Sequence, residues 1–116
     1  MPKIVRFEPR PEGVSKTVKF EGADHGTPIS FFAVDYAPGQ SVDLHVHPYP
    51  ETWIIRSGRA RFTVDGEVIE AGAGDTVVAE AGKPHGFRNI GDTRLDVVCI
   101  HASDRIVQEF TGAEAA

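Results

Sequence analysis

The chain has little of several things that would have settled its class at once. It holds one cysteine, Cys99, among 116 residues, so an intramolecular disulfide is excluded and stability has to come from a buried core. No run approaches the ~18 consecutive apolar residues of a membrane span. The first residues, Met1-Pro2-Lys3-Ile4-Val5-Arg6-Phe7-Glu8, interrupt their apolar positions with charge, unlike a signal peptide. A cytoplasmic location and no membrane partner are the expectations that follow. Basic clusters are also missing: 12 Lys and Arg against 17 Asp and Glu give a net charge of -5, which argues against a nucleic-acid partner. Before residue 103 there is no capped segment of helical length with apolar residues three and four apart, so helical and α/β folds are hard to build.

What the chain has instead is a succession of short strand-like runs between glycine and proline corners. Ile29 to Tyr36 is β-branched and aromatic and is closed by Ala37-Pro38-Gly39. Val42 to His47, Thr52 to Ser57, Thr76 to Ala79, His85 to Asn89 and Leu95 to His101 follow at even spacing. Between Ala60-Arg61-Phe62-Thr63-Val64 and Glu67-Val68-Ile69-Glu70 sits Asp65-Gly66, the dipeptide best suited to a two-residue hairpin. Lys3 to Phe7 and Thr17 to Phe20 read as edge strands, 103–110 as a helical turn or an extended arm, and the tail from Thr111 as frayed. The pattern is that of an all-β, antiparallel, single-domain barrel or two-sheet fold. Residues 1–28 are expected to form an N-terminal arm of edge strands, 29–103 the barrel, and 104–116 a C-terminal extension.

The one chemically dense stretch is Gly39 to Glu51. If Val42 to His47 is extended, His45 and His47 point to one face about 6.6 Å apart along the strand. Pro48 and Pro50 then force a turn, and Glu51 opens the next apolar run beside the histidines. Three potential metal ligands within seven residues point to a metal centre.

Gly39, His45, His47, Glu51 and Gly58, in that spacing, resemble the first motif of the cupin superfamily. Gly74-Asp75, Gly82, His85 and Asn89 resemble the second, with Glu80 where the family usually has proline. The resemblance covers roughly residues 29 to 101 and implies a jelly-roll, double-stranded β-barrel. It also implies one divalent ion held by His45, His47, Glu51 and His85. Three imidazoles and a carboxylate suit Fe, Mn, Ni, Co, Cu or Zn and leave shell positions open for substrate.

Period two then sends Trp53 and Ile55 inward with Glu51, and Phe87 inward with His85. Phe62, Val64, Val97 and Cys99 complete an expected apolar pocket for a small organic molecule that meets the metal through oxygen. His101 shares the face of Cys99 and is a speculative acid or base. Tyr49 can cover the mouth, Asn89 is expected to close a turn, and His25, Arg56 and Arg61 are expected at the surface. The function so implied is a metal-dependent, oxygenase-like enzyme acting on a small oxygen-bearing substrate. A non-enzymatic metal-containing binder or sensor, and a Zn- or Mn-dependent isomerase or epimerase, are the alternatives. Outward apolar residues such as Val46 and Ile54 suggest a homodimer.

Overall fold

The computed structural model describes residues 2–8 and 16–116, and among them no helix is long and apolar enough to cross a membrane. Ten strands follow in chain order among the described residues: β1 (Val18–Phe20), β2 (Ser30–Tyr36), β3 (Ser41–Val46), β4 (Glu51–Ser57), β5 (Arg59–Val64), β6 (Glu67–Gly72), β7 (Thr76–Ala79), β8 (His85–Asn89), β9 (Leu95–His101) and β10 (Glu109–Phe110). They form two five-stranded sheets, ordered β1-β2-β9-β4-β7 and β10-β3-β8-β5-β6. All pairings are antiparallel. The interior is therefore closed by side chains packed between two sheets, as in a jelly roll, and not by one continuous ring of hydrogen bonds.

Local chemistry explains the corners. Val64 stands opposite Glu67 across a two-residue loop, and Asp65 and Gly66 have φ of 50° and 82°. Both are positive, as the hairpin turn matched to strand twist requires. At the β4–β5 corner Gly58 has φ +87°, and a Cβ there would come within 2.6 Å of the Arg94 carbonyl oxygen, so only glycine fits. The corner carrying Glu80 forms without the usual proline, because Gly82 N–H reaches the His47 carbonyl at 2.8 Å.

Between the sheets, Trp53 and Ile55 of β4, Ala60 and Phe62 of β5, and Leu95 and Val97 of β9 are 0–1% exposed and form one cluster. Burying each large side chain among them contributes about 1.5–3 kcal/mol. Both ends of the chain depart from expectation. Lys3 to Phe7 is exposed and carries no strand, so only Val18–Phe20 pairs with β2 as an N-terminal edge. Residues 103–110 take the extended alternative: β10 pairs with β3, Glu109 opposite Val46 and Phe110 opposite His45.

The tail beyond is not frayed. Thr111 N–H donates to the Leu44 carbonyl at 3.0 Å, Leu44 N–H to that of Ala113 at 2.9 Å, and Ala116 N–H to Thr63 Oγ1 at 3.1 Å. The edge of β3 presents unpaired backbone groups, and the tail satisfies them. For the same reason Thr63 is buried.

Candidate metal centre

The two sheets meet at one polar point. In one sheet His45 of β3 stands opposite His85 of β8, and His47 follows just past the end of β3. In the other, Glu51 of β4 stands opposite His101 of β9. The ligand atoms of His45, His47, Glu51 and His85 lie within 4.8 Å of one another, and all four residues are buried. A bulge helps to aim them: Val42 pairs with Phe87 and His45 with His85, three steps on β3 against two on β8. The β3 backbone comes so close there that a Cβ on Gly86 would lie 2.6 Å from the Val42 carbonyl oxygen.

Each ligand imidazole is oriented through its other nitrogen. Nδ1–H donates to a backbone carbonyl, from His45 to Asp43 at 2.7 Å, from His47 to Val107 at 2.8 Å and from His85 to Lys83 at 2.9 Å. A carbonyl oxygen only accepts, so the proton resides on Nδ1 and Nε2 is left as a lone pair. Nε2 of His47 and of His85 nevertheless approach Glu51 Oε1 at 2.8 and 3.0 Å. Lone pairs at that distance from a carboxylate oxygen repel unless positive charge lies among them, either extra protons on the rings or a metal ion. Three imidazoles and a carboxylate are the donor set of a divalent transition ion, and the carbonyl bonds are the outer support such ligands usually have. The residues fit a metal.

The protonation tendencies agree. Burial pushes the Glu51 carboxyl up, but His47 and His85 outweigh it and hold it at about 2. Burial pushes His45 down, which favours the neutral form that ligates. His101 is pushed down by burial to about 4, against the pull of Glu51, and so is neutral near pH 7. Its Nδ1 lies 2.7 Å from the Tyr49 hydroxyl, and its Nε2 3.5 Å from Glu51 Oε2. Tyr49 is buried, stacks on His47 with ring centres 5.0 Å apart and accepts Val107 N–H at 3.1 Å. Burial, opposed by that N–H, holds its phenol above the ordinary value.

A cavity of about 150 Å³ adjoins the centre, with His45, Glu51 and His101 on its wall. Of the expected pocket residues, Phe87 and Cys99 line it. Trp53, Ile55, Phe62 and Val97 do not, which corrects the expected pocket. They are buried as core beside the cavity, Trp53 packing on His85 with ring centres 5.0 Å apart. Val64 is partly buried and lies on a separate outer groove with Val77 and Val78. Period two says which residues share a face; depth along the barrel is not contained in it. The Cys99 thiol is raised well above its ordinary value by burial, which marks it as inert packing.

Residues 32–101 match the cupin domain family. The chain belongs to that family. Its sheets superpose on Bacillus subtilis oxalate decarboxylase, a protein with Mn(II) centres, with a TM-score of 0.77 and 27% identity over 90% of this chain and 30% of that one. It is 30% identical over 79 residues to an oxalate-binding protein of Thermotoga maritima, 67% of this chain and 65% of that protein. It is also 24% identical over 92 residues to mannose-1-phosphate guanylyltransferase ManC of Salmonella typhimurium, 78% of this chain. The chain spans only about one fifth of the guanylyltransferase, 19% of its length.

The rest of this cupin's cavity wall comes from residues that the local pattern does not assign to it. Phe32, Val34 and Tyr36 alternate along β2 opposite Cys99, Val97 and Leu95. Their alternation is legible, but the face they share with His101 needs the register. Val42 is hidden by the bulge, since it reaches the wall three residues before His45. Thr17 and Gln108 come from the segments flanking the barrel. Tyr49 is a buried partner of His101 rather than a cover over the mouth. Asn89 closes its corner, with Nδ2 donating to the Tyr36 and Thr93 carbonyls and Oδ1 accepting Gly91 N–H. His25 is half-buried against Phe20. Arg56 is exposed near Asp96, and Arg61 is half-buried beside Glu70.

Proposed function

We propose that this cupin is a metal-dependent enzyme of the oxygenase type. Its substrate is a small organic molecule whose oxygen atoms reach an ion held by His45, His47, Glu51 and His85. The observation that carries the reading is the convergence of three Nε2 lone pairs and a carboxylate beside a largely apolar cavity of about 150 Å³. A dry cavity of about that volume takes one benzene-sized body. A redox-capable divalent ion bound there supplies Lewis acidity and a means of engaging dioxygen. The chain's own contribution is shelter and orientation: Phe32, Val34 and Phe87 exclude water from the wall, and His101 holds or passes a proton at Nε2. Among the described residues no Lys or Arg lines the cavity, which disfavours phosphorylated sugars as substrates.

The second reading is a non-enzymatic binder of a small carboxylate, favoured by the likeness to the Thermotoga maritima oxalate-binding protein. Elemental analysis of protein purified without added metal or chelator, followed by oxygen uptake with catechol-, diketone- and thiol-type compounds and oxalate, separates the two. Bound iron or manganese with uptake is expected; bound zinc without uptake favours the binder or a Lewis-acid isomerase. The same reading includes a cytoplasmic homodimer, supported by exposed Ile4, Phe7 and Ile54. Light scattering after gel filtration tests the dimer, and a monomer at micromolar concentration would remove it.

A further inference from the structure

We infer that Tyr49 is a positioning residue that fixes His101 as the Nε2–H tautomer, so that the cavity offers a hydrogen-bond donor to a ligand oxygen beside the metal ligands. The tautomer follows from counting donors. Val107 N–H can only donate, and it donates to the Tyr49 oxygen at 3.1 Å. The phenol oxygen could accept a second N–H, but its own buried proton would then lack an acceptor, so that proton goes to the other neighbour, His101 Nδ1, at 2.7 Å. Nδ1 accepts, and the proton of a neutral ring resides on Nε2. This is the reverse of His45, His47 and His85, whose Nδ1–H groups face backbone carbonyls.

His101 is 1% exposed, and its Nε2 is buried with no hydrogen-bond partner. The nearest acceptor, Glu51 Oε2, is 3.5 Å away, beyond the usual N–H···O length. A buried donor left without a partner on a cavity wall is costly unless something else completes it. A carboxylate, carbonyl or phenolate oxygen seated in the cavity would do so, while Glu51 on the same wall offers only acceptors. One residue links the donor to the metal centre, because Val107 N–H holds Tyr49 while the Val107 carbonyl holds His47.

The ligand half of this inference rests on the cavity being a substrate site; the tautomer half does not. Both are testable on the full chain loaded with Zn(II), which is diamagnetic and supports no oxygen chemistry. Long-range ¹H–¹⁵N correlation spectra are expected to show His101 with a protonated Nε2 and a bare Nδ1. In Tyr49→Phe the His101 signals should move to the other tautomer or to an exchanging mixture, with zinc content and the signals of His45, His47 and His85 retained. Acetate, titrated as the probe, should bind roughly tenfold more weakly to Tyr49→Phe, the size of one charge-assisted hydrogen bond.

A wild-type His101 protonated on Nδ1 overturns the inference, and that spectrum decides the matter even if Tyr49→Phe does not fold. An unchanged tautomer in Tyr49→Phe overturns it as well. A changed tautomer with unchanged acetate affinity overturns the ligand half. Failure of the oxygenase reading would appear as absent oxygen uptake with iron or manganese bound, leaving the zinc-form spectra as they were.

Discussion

β4 and β9 run the length of the interior and serve two ends that behave differently. At one end Trp53 and Ile55 of β4 and Leu95 and Val97 of β9 fill the space between the sheets, almost without exposure. Trp53 meets Phe62 at 5.0 Å, and Phe62 meets Phe87 at 5.2 Å. At the other end the same two strands present Glu51, Cys99 and His101 to a cavity. The inward face is continuous, so the difference lies in depth. Apolar groups close up on one another, whereas buried polar groups are costly without a partner, and Glu51 with three ring nitrogens is a set that a cation would satisfy. Phe87 and Trp53 join the two: Phe87 packs on Phe62 and lines the cavity, and Trp53 packs on His85 with ring centres 5.0 Å apart.

The comparison breaks most sharply at the polar end. His47→Ala or Glu51→Ala should reduce metal affinity by more than the ~10–100-fold typical of losing a supporting group behind a ligand. A competition titration with a chromophoric chelator checks this, and the metal-free forms should keep native circular dichroism. Next is the filled end, where Phe62→Ala should cost about 3–5 kcal/mol in urea unfolding. The folded fraction of that variant should still bind its metal. If its metal affinity fell as far as that of His47→Ala, the two ends would not be separable.

A smaller effect is expected where the ends join at the bulge. A Cβ on Gly86 meets the β3 backbone at 2.6 Å, so Gly86→Ala should cost about 1–3 kcal/mol by overpacking. Because Gly86 adjoins His85, metal affinity should fall along with the urea midpoint. The smallest effect is on pH. Burial, with Cys99 nearby, raises the Tyr36 phenol to about 12 from an ordinary value of 10. A pKa raised in the folded state means that the neutral phenol is favoured there. The associated stability is present in full below pH 10 and is lost as pH rises through 12. Urea midpoints followed from pH 9 upward should therefore fall more for the wild type than for Tyr36→Phe; parallel curves would remove this assignment.

Much of the fold was legible because it is local. Asp65-Gly66 dictates a two-residue hairpin, and the register has Val64 opposite Glu67. The spacing of His45, His47 and Glu51 puts ligand types on a strand, a proline turn and a returning strand, and those atoms converge. His85 was reached through the family motif alone, since nothing in its own surroundings says which strand it will face. The tail was misjudged, because nothing in its own residues says that it lies against Thr63 and the open edge of β3. The corner that carries Glu80 in place of a proline is closed by a bond from Gly82 to His47.

By itself the sequence determined the class of fold, the hairpin and the chemistry of the ligand set. Turn geometry, strand alternation and donor type are properties of a few adjacent residues. Only the tertiary structure decided which inward residues are core and which are wall, and that the Tyr49 hydroxyl meets His101 across 52 positions of chain. Those outcomes depend on the register between strands, on one extra residue in β3 and on where the C-terminal segment lies. Each is set by contacts between parts of the chain that carry no local record of one another.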